Sequence, residues 1–153
     1  MAQNIAFIVG SAWLVWCLFH VGLLLASPYL LGRQHIVTNG FITAFPQHLR
    51  DKLTPEQQAA ILAHEEGHKA HRHALKNLLR TFFFLRRSPK MAMVQEIEAD
   101  QYAADRGHAE ALATALRKLS GDAFDWYRAR RLDDWRQRQP DREWCDAGWA
   151  SGS

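Results

Sequence analysis

Apolar and polar positions divide the chain into two regimes. Residues 5–31 (IAFIVGSAWLVWCLFHVGLLLASPYLL) are almost wholly apolar, and residues 1–32 contain no Asp, Glu, Lys or Arg. As a helix rising about 1.5 Å per residue, this stretch would reach roughly 40 Å, against a hydrocarbon layer of roughly 30 Å. No polar face interrupts it, so it reads as a tilted membrane span. A buried core helix is the alternative, but no other segment is long enough to enclose one. A secretory signal would need a basic start and a shorter apolar run. His20 falls mid-span, where it either faces a polar cavity or is carried as a neutral ring.

From residue 33 the pattern shortens and alternates. The runs HIVT and FITAF flank Asn39-Gly40, the preferred centre of a tight two-residue hairpin. Such a hairpin is marginal alone and must pack on the helices C-terminal to it. Pro46 opens a short helical turn. Thr54-Pro55-Glu56-Gln57 then supplies an N-cap, a proline at the first helical position and the reciprocal capping-box glutamine. The helix begun there is expected to run unbroken to about Leu79 or beyond. LLRTFFFL, residues 78–85, is too short to span; it is either a core-facing helix end or a segment at the membrane interface beside the anchor. Ser88-Pro89 starts a second helix over about 89–106, which Gly107 ends. AEALATALRKL makes a third, and one amphipathic helix precedes a frayed tail after Pro140.

The expected fold class is therefore α+β: an N-terminal transmembrane helix followed by a compact, mostly helical domain with a small β-hairpin. The expected divisions are an anchor over 1–32, a compact domain over 33–120, and a C-terminal helix and tail over 121–153. A length of 153 residues suits one modest domain with flanking sequence. Cys17 and Cys145 are too few and too far apart for a disulfide framework, so a reducing compartment is the default. Arg33, Arg50 and Lys52 follow the span and no cation precedes it. The positive-inside rule then puts residue 33 onward in the cytoplasm. A single-pass protein of a bacterial inner membrane is the expected setting. The net charge of +3 suits a membrane protein's cytoplasmic side, and no nucleic-acid partner is expected.

Candidate chemistry centres on His64-Glu65-Glu66-Gly67-His68, an HExxH pattern. One helical turn separates His64 from His68, so both imidazoles can aim at one metal ion. Glu65 lies about 100° around, where a carboxylate can take a proton from a metal-activated water, while Glu66 points away. Five residues are a weak signal, so the third ligand decides. A His six residues after His68 is excluded because position 74 is Ala; His71 reads as lining the cleft or solvated. Glu96-Ile97-Glu98-Ala99-Asp100 offers a better candidate. Glu96 and Asp100 share a helix face about 40° apart, bordering an inward stripe that includes Met93 and Ile97, whereas Glu98 lies near 200° and is expected to face outward. Carboxylates bordering a core need partners. Zinc for Glu96, and the N–H of a zinc-bound imidazole for Asp100, would provide them.

HEEGH followed by EIEAD resembles the gluzincin zinc metallopeptidases, in particular the CAAX prenyl protease/HtpX family of membrane peptidases. The likeness runs over roughly residues 34–120: IVTNGFI stands where the family has its active-site strand, and EIEADQYAADRG resembles its acidic helix. FPQHLRDKLTPEQQAAILAHEEGH is also similar to the BlaR-type sensor peptidases. The resemblance implies one Zn²⁺ per chain held by His64, His68 and Glu96, Glu65 as the catalytic base, Asp100 orienting a ligand histidine, and an extended polypeptide substrate laid along a strand of the 34–45 hairpin. Two departures stand out: Glu66 occupies a position that is usually apolar, and there is one span instead of several. No residue matches the family's oxyanion-stabilising His or Arg; Arg128, Arg130, Arg131, Tyr102 and Tyr127 are the candidates. The expected function is a membrane-anchored zinc endopeptidase. The alternatives are a zinc-binding pseudo-peptidase acting as a membrane adaptor or regulator, and an anionic-ligand binder using Arg128, Arg130, Arg131, Arg136 and Arg138.

Overall fold

The computed structural model describes residues 2–119 and 122–138. Seven helices and one two-stranded antiparallel sheet follow in the order α1 (Ala2–Leu30), β1 (Val37–Thr38), β2 (Thr43–Ala44), α2 (Gln47–Arg50), α3 (Pro55–Ala70), α4 (His73–Phe82), α5 (Pro89–Ala104), α6 (Ala109–Leu119) and α7 (Ala123–Gln137). This is the expected mostly helical domain with a small hairpin and one long apolar helix. The expected tail after Pro140, with Cys145, lies outside the described residues.

Helix α1 is long and apolar enough to cross a membrane. Only 6% of its apolar window is buried, which rules out a core helix of this domain. The core lies instead among α3, α5, α6 and α7. Ala60 and Ile61 meet Ala103, Leu112, Leu116 and Ala129 there. Eight of the fourteen buried residues of this cluster are alanines, so the helices approach closely and the packing tolerates little added volume. Gly67 shows this best, because a Cβ on it would stand 2.9 Å from the Cα of Ala99. Only a residue without a side chain lets α5 come this near to the HEEGH turn.

The predicted helix starts are present. Thr54 Oγ1 accepts from the Gln57 amide, Gln57 Oε1 accepts from the Thr54 amide, and Pro55 takes the first position of α3. Ser88 caps α5 in the same manner through the Met91 amide. Gly107, with φ +93°, follows the end of α5.

Two expectations need correction. The hairpin turn is displaced by one residue. The Asn39 amide donates to the Ile42 carbonyl, so Gly40 and Phe41 are the central pair, and Gly40 takes the positive φ of +93°. Asn39 precedes the turn, and its Oδ1 accepts from the Phe41 and Ile42 amides. The pairing brings Val37 opposite Ala44 and Thr38 opposite Thr43. The long helix expected from Pro55 to Leu79 is in fact two helices. α3 stops at Ala70, and Arg72 adopts a left-handed φ of 54° before α4 begins. No Gly or Pro marks the break, and tertiary contacts decide it.

Candidate metal centre

The capped α3 presents His64, Glu65 and His68, and α5 packs across it through Gly67. This crossing brings three side-chain donors together. His64 Nε2 lies 3.1 Å from His68 Nε2, and Glu96 Oε2 lies 3.4 Å from the first and 3.6 Å from the second. Two imidazole nitrogens and a carboxylate oxygen are the donor types that zinc takes. Ligands about 2.0–2.1 Å from a tetrahedral ion stand about 3.3 Å apart, so the spacing fits a single ion. In neutral imidazoles these nitrogens can serve as ligands because the other ring nitrogen of each is engaged elsewhere.

His64 Nδ1 lies 2.9 Å from Asp100 Oδ1. Asp100 is in turn gripped by Arg128, whose Nε donates to Oδ2 at 2.7 Å and whose Nη2 donates to Oδ1 at 2.6 Å. Arg128 Nη1 adds Asp125 at 2.9 Å and stands 3.5 Å from Glu96. Burial opposes the charge on Asp100, but hydrogen bonds from Arg128 and His64 outweigh it and hold the carboxyl below its ordinary range. Burial likewise opposes the charge on Glu96, and the imidazoles of His64 and His68 outweigh it in the same sense. Burial disfavours the His64 cation, yet Asp100 and Glu96 raise its pKa to about 9 in the metal-free protein. Glu65 is the exception among the acids. Burial dominates there and pushes its carboxyl up, as suits a proton acceptor.

The second nitrogen of His68 is held by a residue that the sequence did not single out. His68 Nδ1 lies 2.7 Å from His73 Nδ1, and His73 Nε2 lies 2.8 Å from Glu98 Oε2. His73 is 3% exposed. Burial lowers its pKa against the pull of Glu98, which favours a neutral ring. Glu98 therefore does not simply face outward as expected; it faces α4. The inward stripe of α5 is also rotated from the expected one: Gln95, Ala99, Asp100 and Ala103 are buried, while Met93 is exposed. The missed signal was the fourth histidine of HEEGHKAHRH, His73. It becomes visible only once the helix breaks at Arg72, since a continuous helix would carry it away from His68. His71 stacks on His73, with ring centroids 5.4 Å apart.

A cleft of about 350 Å³ opens over these groups, lined by Val37 and Thr38 of β1 and by Glu65, His68, Asn77 and Arg87. Asn77 and Gln95 satisfy each other through two amide hydrogen bonds at its wall. Of the cations and tyrosines considered for the oxyanion, Arg128 alone reaches the donor cluster, and its nitrogens are taken up by Asp100, Asp125 and Glu96. Arg130, Arg131 and Tyr127 do not reach it: Arg131 and Tyr127 are exposed, and Arg130 has no contact with the donors among the described residues. Tyr102 lies under the Arg106 guanidinium. Arg87, not anticipated, lines the cleft with its Nη2 3.9 Å from Glu96 Oε1. Arg136 pairs with Glu110, and Arg117 with Asp133, which leaves no uniform anion-binding stripe on the described part of α7.

No curated protein matches the chain, and no solved structure does. Glu96, Glu98 and Asp100 lie beyond the end of the family match, so their place at the site rests on the crossing of α3 and α5. That match covers residues 33–94 and is to the model of Peptidase family M48, the family of HtpX/CAAX protease-like gluzincin metallopeptidases.

Proposed function

We propose that the protein is a membrane-anchored, zinc-dependent endopeptidase, with α1 as a single span and the domain from residue 33 onward in the cytoplasm. The observation that carries the reading is the convergence of His64 Nε2, His68 Nε2 and Glu96 Oε2 beside the buried Glu65, at the floor of a cleft edged by β1. These residues would hold one zinc ion, which when bound lowers the pKa of water and polarises a carbonyl. The chain does the rest. Thr38 and Val37 offer a strand edge against which an extended peptide can pair, placing its backbone across the cleft. Glu65 accepts the proton of the attacking water and returns it to the leaving amine; its raised pKa suits both transfers. Asp100 and His73 fix the two ligand imidazoles in one tautomer and orientation. Arg87, exposed at the cleft and only loosely paired with Glu96, is the cation placed to meet charge developing on the carbonyl oxygen.

The test is zinc content and cleavage of an unfolded polypeptide by purified full-length protein, wild type beside Glu65→Gln. The variant is expected to keep zinc and lose roughly 10²–10⁴-fold in turnover. Near-normal turnover would refute the role of Glu65, and absence of zinc-dependent cleavage by the wild type would refute the function.

A further inference from the structure

The docking of α1 on the domain raises a problem of length. The apolar stretch begins at Ile5 and residues 5–12 are all exposed; along α1, the first hydrogen bond and ring contact to the domain among the described residues are at Trp13. Residues 5–12 therefore project free of the domain, about 12 Å of helix. A hydrocarbon layer of roughly 30 Å needs about 20 residues. Some 18 Å of the layer, roughly, must overlap the part of α1 that is already packed against protein. Tilt shortens the projection and deepens the overlap, and thinning of the bilayer by a few ångströms does not remove it.

What lies against that part of α1 is the end of α4. The Trp13 indole Nε1 donates to the Phe82 carbonyl at 2.9 Å, and Trp16 Nε1 donates to the Thr81 carbonyl at 3.0 Å. The Phe84 ring stacks on Trp16 with centroids 5.1 Å apart. Phe84 has a left-handed φ of 57°. Around it the Leu85 amide donates to the Arg80 carbonyl and the Phe84 amide to Thr81. The last carbonyls of a helix ordinarily turn to water. Here the chain itself and two indoles take up the carbonyls of Arg80, Thr81 and Phe82, as suits a helix end surrounded by hydrocarbon. The side chains agree: Leu79, Phe83, Phe84 and Leu85 are all exposed. Arg86 and Arg87 come directly after, and Arg87 lines the cleft.

We propose that the Phe82–Leu85 tip of α4 is immersed in the lipid bilayer beside α1. The domain is then part-sunk in the membrane, and its cleft opens at the bilayer surface. The substrates it meets are extended polypeptide segments lying at or leaving that surface. This rests on reading α1 as a membrane span.

The experiment places a nitroxide on single cysteines in full-length protein in liposomes, in a Cys17→Ala, Cys145→Ala background. Phe83→Cys and Leu85→Cys probe the tip without touching the Phe84–Trp16 stack. Val9→Cys reports the free part of α1, and Lys118→Cys reports the exposed face of α6. Collision with oxygen marks lipid, and collision with a water-soluble nickel chelate marks water. Phe83 and Leu85 are expected to match Val9, with high oxygen and low nickel accessibility. If they match Lys118 while Val9 reads as lipid, the immersion is wrong and the anchor stands. If Val9 reads as water, the anchor and the immersion fall together.

Discussion

Removal of Glu98 tests the donor cluster at the point where the sequence and the structure part. Read as an outward-facing residue of α5, Glu98 should be dispensable. The hydrogen bonds give it a defined task. For His68 to offer the Nε2 lone pair, its proton must sit on Nδ1, which donates to His73 Nδ1 at 2.7 Å; the proton left to His73 is on Nε2, which donates to Glu98 at 2.8 Å. Each link orders the next. Loss of a group that holds a ligand imidazole costs about 10–100-fold in metal affinity, or about 1.4–2.7 kcal/mol. His73→Phe, which keeps a ring in the pocket but removes the acceptor, should fall in that range. Glu98 acts one bond further out and its side chain is 41% exposed. Water can partly replace it, so Glu98→Ala should cost only about 2–10-fold, the range for one ordinary hydrogen bond. Zinc affinity is measured by competition with a chromogenic chelator, alongside the melting temperature of the metal-free protein. In the His73→Phe background, Glu98→Ala should add almost nothing. Unchanged affinity in both single variants would refute the relay. A larger loss from Glu98→Ala than from His73→Phe would reverse its order.

Arg128→Ala should destabilise the metal-free domain by about 3–5 kcal/mol in denaturant titration, because it strands the buried Asp100 carboxylate without its guanidinium. Gly67→Ala should cost about 1–3 kcal/mol and weaken zinc binding as well, since the new Cβ meets the Ala99 backbone and α5 must shift with Glu96 and Asp100; zinc titration of a still-folded variant reads the second effect. A reporter fused after Ser153 should be active only on the cytoplasmic side, and activity on the opposite side would overturn the orientation drawn from Arg33, Arg50 and Lys52.

The parts of the fold legible in the sequence are those written locally. Thr54-Pro55-Glu56-Gln57 is a complete helix start in four residues, and Ser88-Pro89 and Gly107 bound α5 on the same principle. The apolar run of α1 needs no partner to be read. At the site, i,i+4 spacing is enough to put His64 beside His68 and Glu96 beside Asp100. It gives the azimuth of each residue around its own helix but not where neighbouring helices stand. For that reason the sequence leaves Glu98 solvated, turns Met93 inward and offers Arg128 as one candidate among five, although Arg128 comes from α7, 28 residues after the Asp100 it grips. The role of Gly67 is hidden for the same reason. A glycine inside a helix looks like a weakness until α5 is laid across it.

The two ends of α4 depend most on tertiary context. Arg72 before it and Phe84 after it are both left-handed, and neither is Gly or Asn. Each such residue costs about 1–2 kcal/mol, so no local preference selects them. The strain at each is offset by one group of contacts. At Arg72 the reversal lets His73 turn back to His68 and Glu98, closing the shell around one candidate ligand. At Phe84 it lays the ring on Trp16 and turns the Leu85 amide to the Arg80 carbonyl, while Trp13 and Trp16 cap the carbonyls of α4. A ten-residue helix is thus pinned to the donor cluster at one end and to α1 at the other. A longer unbroken α3 would satisfy helix propensity better and would lose both attachments.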